Sequence, residues 1–163
     1  MLHEIVTIGA YGWEEEAFFA ALRAARVDLF CDIRQRRGVR GHEYAFANSQ
    51  RLQDRLAAGA FRYVHRLDLA PSAGLRAVQM AADSATHTAT RRREALSDEF
   101  IRAYGEQVLA GFDSRSFADS LGPDAHVVAL FCVERVHTAC HRGLLANRLA
   151  RDLRLPLMHL TPP

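Results

Sequence analysis

Two thiols, a carboxylate, an imidazole and a guanidinium stand close together near the C-terminus: Cys132, Glu134, Cys140, His141 and Arg142. These residue types can do several kinds of chemistry. A thiol at a helix start, beside an imidazole and a guanidinium, is more acidic than usual and can act as a nucleophile, with Cys140 and Cys132 as candidates. Cys132, Cys140 and His141, with Glu134 or His137, are also zinc-ligand types. Adjacent ligands at 140 and 141 are awkward to aim at one ion from a helix, so no metal and no cofactor is expected. Glu134, together with Asp32 earlier in the chain, can supply general-base or electrostatic chemistry. The plainer alternative is that the cysteines are small buried hydrophobes, their commoner fate.

Anion binding is the reading with most support. Residues 139–143 would form the first turn of a helix, where free backbone N–H groups and the helix dipole attract anions. Arg142 lies in that turn, and Arg34, Arg36 and Arg37 sit in a loop able to face it. The competing expectation is that Arg142 pairs with Glu134 or Asp32 and merely fixes the loop. Tyr11 and Trp13 could stack on a base or pack a helix entry. The Arg91-Arg92-Arg93 run reads as a solvated face unless it shares a side with residues 34–40.

These groups must be positioned by regular elements. The apolar run Val127–Phe131 reads as a buried strand ending at Cys132. Residues 4–9, 27–33 and 61–65 read as further strands, and 156–160 as an edge strand, where an initial proline is tolerated. Helical spacing appears over 13–25, with Glu14, Glu15 and Glu16 favoured at its start by the dipole. Asn48 or Ser49 can cap a helix to Ala58, which Gly59 ends. A short helix is expected at 75–82, then a polar loop over 83–90. Ser97 opens a helix through Phe100, Ile101, Tyr104 and Val108, and Asp113 caps another. Thr138 is expected to cap the last helix, with Leu144, Leu145, Leu149 and Leu153 as its apolar stripe.

Strands alternating with helices imply one α/β domain over residues 1–163, with a mostly parallel sheet of about five strands and helices on both faces. Parallel strands end on one edge. Gly9, Tyr11, Asp32, Arg34, His65, Cys132 and Glu134 would therefore gather there, in the crevice where open α/β sheets bind ligands.

The totals bound the rest. With 163 residues, 49% hydrophobic and 25% charged, the chain suits a single globular domain. No run is long enough to span a membrane, and the first residues lack a signal-peptide pattern, so a cytoplasmic protein is expected. Three cysteines, an odd number, fit a reducing compartment. There is no lysine, so all 21 basic residues are arginine and lysine Schiff-base chemistry is excluded. Arginine is suited to bidentate carboxylate and phosphate contacts, although a GC-rich coding sequence would produce the same bias. A net charge of +2 is too small to argue for nucleic acid by itself.

Thr7-Ile8-Gly9, Asp32-Ile33-Arg34, Tyr63-x-His65, Cys132-x-Glu134, Cys140-His141-Arg142 and the final His159-Leu160 together resemble the domain of unknown function 488 family, DUF488. The resemblance covers nearly the whole chain and implies a small α/β fold. The family has no established reaction, so the resemblance supplies positions and no activity. Three segments depart from its pattern: Leu67-Asp68-Leu69-Ala70 replaces a leucine-glycine-glycine turn, a loop serine is replaced around Gly38, and Val136-His137 replaces an acidic-proline pair. Asp32-Ile33-Arg34 with Gly41-His42 also faintly resembles rhodanese-like sulfur transferases, but position 138, six residues after Cys132, is Thr138 and not the arginine of a cysteine phosphate loop.

The expectation is thus a crevice that binds or processes a phosphate- or carboxylate-bearing ligand, with a nucleotide or nucleic acid among the candidates. Its ligand-binding residues would be Gly9, Tyr11, Arg34, Arg37, His65, His141 and Arg142, and its catalytic residues Asp32, Glu134, Cys132 and Cys140. The alternatives are a non-catalytic nucleic-acid-binding module and a thiol-dependent, sulfur-transfer-like enzyme. Whether any reaction occurs, and the oligomeric state, are left open; no membrane partner is expected.

Overall fold

The computed structural model describes all residues, Met1–Pro163. Five strands, β1 (Glu4–Ile8), β2 (Leu29–Asp32), β3 (Arg62–His65), β4 (Val127–Phe131) and β5 (Leu157–His159), form one sheet in the order β3-β2-β4-β1-β5. Every pairing is parallel. Six α-helices connect and flank them: α1 (Glu15–Ala24), α2 (Ser49–Ala58), α3 (Ala73–Ala85), α4 (Asp98–Gln107), α5 (Ser114–Ser120) and α6 (His141–Leu153).

Alternate strand residues face opposite sides, and each side has its own apolar partners. Val6, Ile8, Phe30, Ala129 and Phe131 meet Phe18, Phe19 and Leu22 of α1 and Leu52 and Leu56 of α2. Ile5, Leu29, Cys31, Val128 and Leu130 meet Phe117 of α5 and Leu145, Ala146 and Leu149 of α6. The three central strands are buried throughout, apart from the half-buried first residue of β1. They therefore read as mostly apolar runs, broken at Thr7 and at the terminal Glu4 and Asp32, as parallel strands covered on both faces do. Trp13 packs edge-on against Phe18 in the first cluster, so of its two expected roles it takes the packing one.

The sheet order locates the site. β1 and β4 are neighbours, yet β1 leads into α1 on one face and β4 into α6 on the other. Connections leaving in opposite directions open a crevice beyond the strand ends. The helices α3 and α4 do not cover the sheet. They pack on each other through Leu75, Phe100 and Tyr104, with Leu96 of the segment between them, and wall the crevice.

Several local expectations change on contact with the fold. Ser97 and Asp113 do cap α4 and α5, accepting from Phe100 N and Ser116 N. Asn48 precedes α2, but its side chain instead accepts from Val39 N at 2.7 Å, pinning the arginine loop. Residues 83–85 belong to α3 and are not loop, because Asp83 is drawn inward by a buried partner. Thr138 does not cap α6: its hydroxyl donates to Glu94 O at 2.6 Å, and the Cys140 sulfur takes the capping position, accepting from Arg142 N at 3.5 Å.

Candidate functional site

Beyond β1, backbone approaches backbone. Ala10 N and Tyr11 N both donate to Val133 O, at 3.1 and 2.9 Å. A Cβ on Gly9 would lie 1.8 Å from Glu134 O and 3.1 Å from an Arg142 guanidinium nitrogen. Gly9 is thus needed for the close approach of the two backbones. Gly9→Ala is expected to cost about 1–3 kcal/mol through overpacking against backbone that cannot swing away. Urea unfolding would measure this, and an unchanged midpoint would mean the loop relaxes freely.

The loop so held carries the chemistry. Cys132 and Glu134 follow β4, with the Cys132 thiol donating to Glu134 Oε2 at 3.1 Å. A 3₁₀ turn over His137–Ala139 leads to α6. There Cys140 Sγ lies 3.7 Å from His141 Nδ1, and His141 Nε2 donates to Ile33 O at 3.0 Å. That carbonyl requires a proton on Nε2, so Nδ1 faces Cys140 either with a free lone pair or as an imidazolium donor. Cys132, Cys140 and His141 are all buried.

The electrostatics follow from packing these groups together. Burial opposes ionisation of Cys140, but the Cys132 thiol, the charges of His141 and Arg142 and the His141 hydrogen bond outweigh it. Its pKa is held well below the usual thiol range. Cys132 is pushed well above that range by its hydrogen bond to Cys140, by burial and by the Cys140 charge. Burial pushes His141 down, but the adjacent Cys140 charge more than compensates, and its pKa rises. Glu134 is pushed up to about 7, first by burial and then by Cys140. Packing thus biases Cys140 towards thiolate, His141 towards imidazolium and Cys132 towards the thiol, beside a Glu134 pushed up to about 7.

Arginines expected to hold a ligand are partly committed elsewhere. Arg142 is 1% exposed and donates to the carbonyls of Glu134, at 2.8 Å, and Arg135, at 3.3 Å. It fixes the loop, though through backbone oxygens and neither carboxylate. Arg34 is also buried: Nε and Nη2 grip the two Asp32 oxygens at 2.9 and 2.7 Å, and Nη1 donates to Ala47 O. Its guanidinium lies over the Phe131 ring. Tyr63 OH donates to Asp32 as well, Arg37 reaches Tyr63 OH at 3.4 Å, and His65 Nε2 donates to Arg34 O. Asp32, Arg34, Arg37, Tyr63 and His65 form a brace at the ends of β2 and β3, with Asp32 fully buried and turned from solvent. His137 stacks on His159, ring centroids 3.5 Å apart, and is not grouped with the two sulfurs and His141.

The crevice above the floor has a volume of about 720 Å³. Cys132, Glu134, Cys140 and His141 form its base, and Tyr11 one rim. Seven arginines line it: Arg34 and Arg93, which are in buried ion pairs, and Arg36, Arg40, Arg76, Arg91 and Arg92. Glu134 is the one lining carboxylate.

A family model, described as a domain of unknown function, DUF488, matches residues 14–149. The chain belongs to the DUF488 family. Searches of curated proteins and of solved structures returned no match. The matched DUF488 segment contains the floor and the arginine loops, while Gly9 and His159 lie outside it.

In this DUF488 domain the sequence misplaces one arginine and leaves a second undecided. Arg93 reads as part of a solvated run, yet its side chain is 9% exposed. It donates to both carboxylate oxygens of Asp83 and to Ala139 O at 3.1 Å, and lies 3.5 Å from Glu134 Oε1. Asp83 is further held by Gln79 Nε2 at 2.8 Å. Nothing in the local sequence separates Arg93 from Arg91 and Arg92; the Asp83 partner ten residues earlier is the only clue. Arg91 does share a side with the 34–40 loop. It donates to Arg40 O at 2.6 Å, and its guanidinium lies 5.2 Å from the centroids of both Tyr11 and Tyr44.

Proposed function

We propose that the crevice binds an organic anion bearing a phosphate or carboxylate and presents it to the Cys132–Glu134–Cys140–His141 floor. One observation carries this reading: seven arginines and a single carboxylate line one cavity in a chain whose net charge is only +2. Arg36, Arg40, Arg76 and Arg92 are in no ion pair, so their charge is available. Arg76 Nε is buried without an acceptor. Such a donor costs roughly 1–3 kcal/mol until something satisfies it. Pro71, Met80, Leu96 and Phe100 supply an apolar wall for the organic part. The volume falls in the range of about 300–1,000 Å³ typical of small-molecule sites. A concave site of this size favours a compact ligand over a nucleic-acid strand.

Calorimetric titration with pyrophosphate, a nucleoside monophosphate and a dicarboxylate tests this. Saturable binding of at least one is expected, weakened about tenfold, or about 1.4 kcal/mol, in Arg40→Ala/Arg92→Ala. Both side chains are exposed and unpaired, so stability should move by less than about 0.5 kcal/mol. No binding at millimolar concentrations, or equal affinity in the variant, would sink the reading. Binding of an oligonucleotide alone, falling steeply with salt, would transfer it to a nucleic-acid module. The Cys140–His141 pair favours a thiol-dependent step as the second reading. That reading predicts rapid alkylation of Cys140 at neutral pH, measurable by peptide mass mapping.

A further inference from the structure

We propose that Cys132, Cys140 and His141 bind a zinc ion whose fourth position opens into the arginine-lined crevice. Three features of the geometry support this. The two sulfurs and one imidazole nitrogen lie within 4.8 Å of one another. With Zn–S near 2.3 Å and Zn–N near 2.0 Å, ligand atoms of a tetrahedral ion stand roughly 3.6–3.8 Å apart. The Cys140 Sγ to His141 Nδ1 distance is 3.7 Å. The adjacency that argues against this pair in sequence is overcome at the helix start: Cys140 is the extended capping residue and His141 the first helical one, so their side chains converge.

The supporting shell is also present. His141 Nε2 donates to Ile33 O at 3.0 Å, which leaves Nδ1 as the ligating nitrogen and fixes the ring. Metal-bound histidines characteristically have such a carbonyl or carboxylate partner. Cys140 Sγ accepts Arg142 N at 3.5 Å, a contact suited to a ligating thiolate. Cys31, the third cysteine, is buried in the sheet and outside the group.

Three protein ligands and one open position describe a catalytic zinc, not a structural one. Glu134 lies beside the ligand set, 3.1 Å from the Cys132 sulfur, and lines the cavity. The matching chemistry is hydrolysis of the bound anion. A water in the fourth position gives one proton to Glu134 and adds its oxygen to an electrophilic carbon or phosphorus. The proton then passes from Glu134 to the departing atom, so one water is consumed and one bond is cleaved. The inference deepens the crevice reading and rests on it for the substrate only; metal binding stands separately.

The test is Zn²⁺ titration of reduced, chelator-stripped full-length protein against a chromophoric competitor. One equivalent is expected, with affinity falling at least about 100-fold in Cys132→Ser, Cys140→Ser and His141→Gln, but unchanged in Cys31→Ala. Should those variants misfold, Co²⁺ added to the unaltered protein is expected to give tetrahedral ligand-field bands with thiolate charge transfer. Zn²⁺ is also expected to protect Cys140 from alkylation, and Glu134→Gln to retain the metal. Absence of stoichiometric binding, undiminished affinity in folded Cys140→Ser, or Co²⁺ spectra without thiolate bands would overturn the zinc site. Alkylation of Cys140 unaffected by Zn²⁺ would also overturn it, in favour of a thiol enzyme. Arg40→Ala/Arg92→Ala should keep the metal while weakening anion binding, so either reading can fail without the other.

Discussion

Arg93→Ala is expected to destabilise the protein by about 3–5 kcal/mol, the cost of breaking a buried ion pair by removing one partner. The reason is Asp83. Its carboxylate is held by Arg93 Nε and Nη2 and by Gln79 Nε2, and both ion-pair side chains are about nine-tenths buried. Without the guanidinium, the Asp83 charge stays buried with one amide donor. The loss also reaches the site, because Arg93 ties α3 to Ala139 O and Glu134 across the crevice floor. In thermal unfolding a fall in Tm on the order of 10 °C is expected for a chain of this size. The companion Arg93→Met/Asp83→Leu should recover much of that loss, since apolar replacement of both partners removes the stranded charge. A single variant as stable as the parent would show that the pair is solvated in solution.

Glu134→Gln is expected to stabilise the protein at pH 8 and to leave it nearly unchanged near pH 5. The ordinary carboxyl value is 4.5, and burial with the Cys140 charge raises it to about 7 in the folded state. Between those values the folded chain binds more protons than the unfolded one, so stability falls as pH rises through that window. Above about pH 7 the ionised Glu134 costs about 3 kcal/mol, because each tenfold gain in proton affinity on folding is worth roughly 1.4 kcal/mol. Glutamine keeps an acceptor for the Cys132 thiol and carries no charge to bury. The Glu134 charge also raises Cys132 and His141, which lie beside it with Cys140 and Arg93, so the measured difference includes the change in those two groups. Urea unfolding of both proteins with chelator present, at pH 5 and pH 8, reads the difference. An equal gain at both pH values would mean that Glu134 ionises as an ordinary carboxylate.

Much of the fold was legible because its signals are local. The run Val127–Phe131 is a strand over those same residues, and the Ser97 and Asp113 caps need only a helix that starts beside them. The floor was legible too, since Cys132, Glu134, Cys140 and His141 are close in sequence and all line the cavity. The fates of the charged side chains were not. Asp32 and Arg34 turn inward on each other, and Arg142 turns to two carbonyls, because the neighbouring strands and loops exclude water there.

From its residues alone, this chain determines an α/β domain with a parallel sheet whose C-terminal edge gathers thiols, carboxylates and imidazoles. Backbone preference and apolar periodicity suffice for that, since both act over a few residues. The order β3-β2-β4-β1-β5 was decided only in three dimensions, as was the division of arginines into buried braces and free crevice donors. The convergence of two sulfurs with an imidazole at the start of α6 was settled there as well. A charged or ligating side chain is satisfied by whichever partner packing brings within about 3–4 Å, and for Arg93 those partners come from segments ten to 46 residues away.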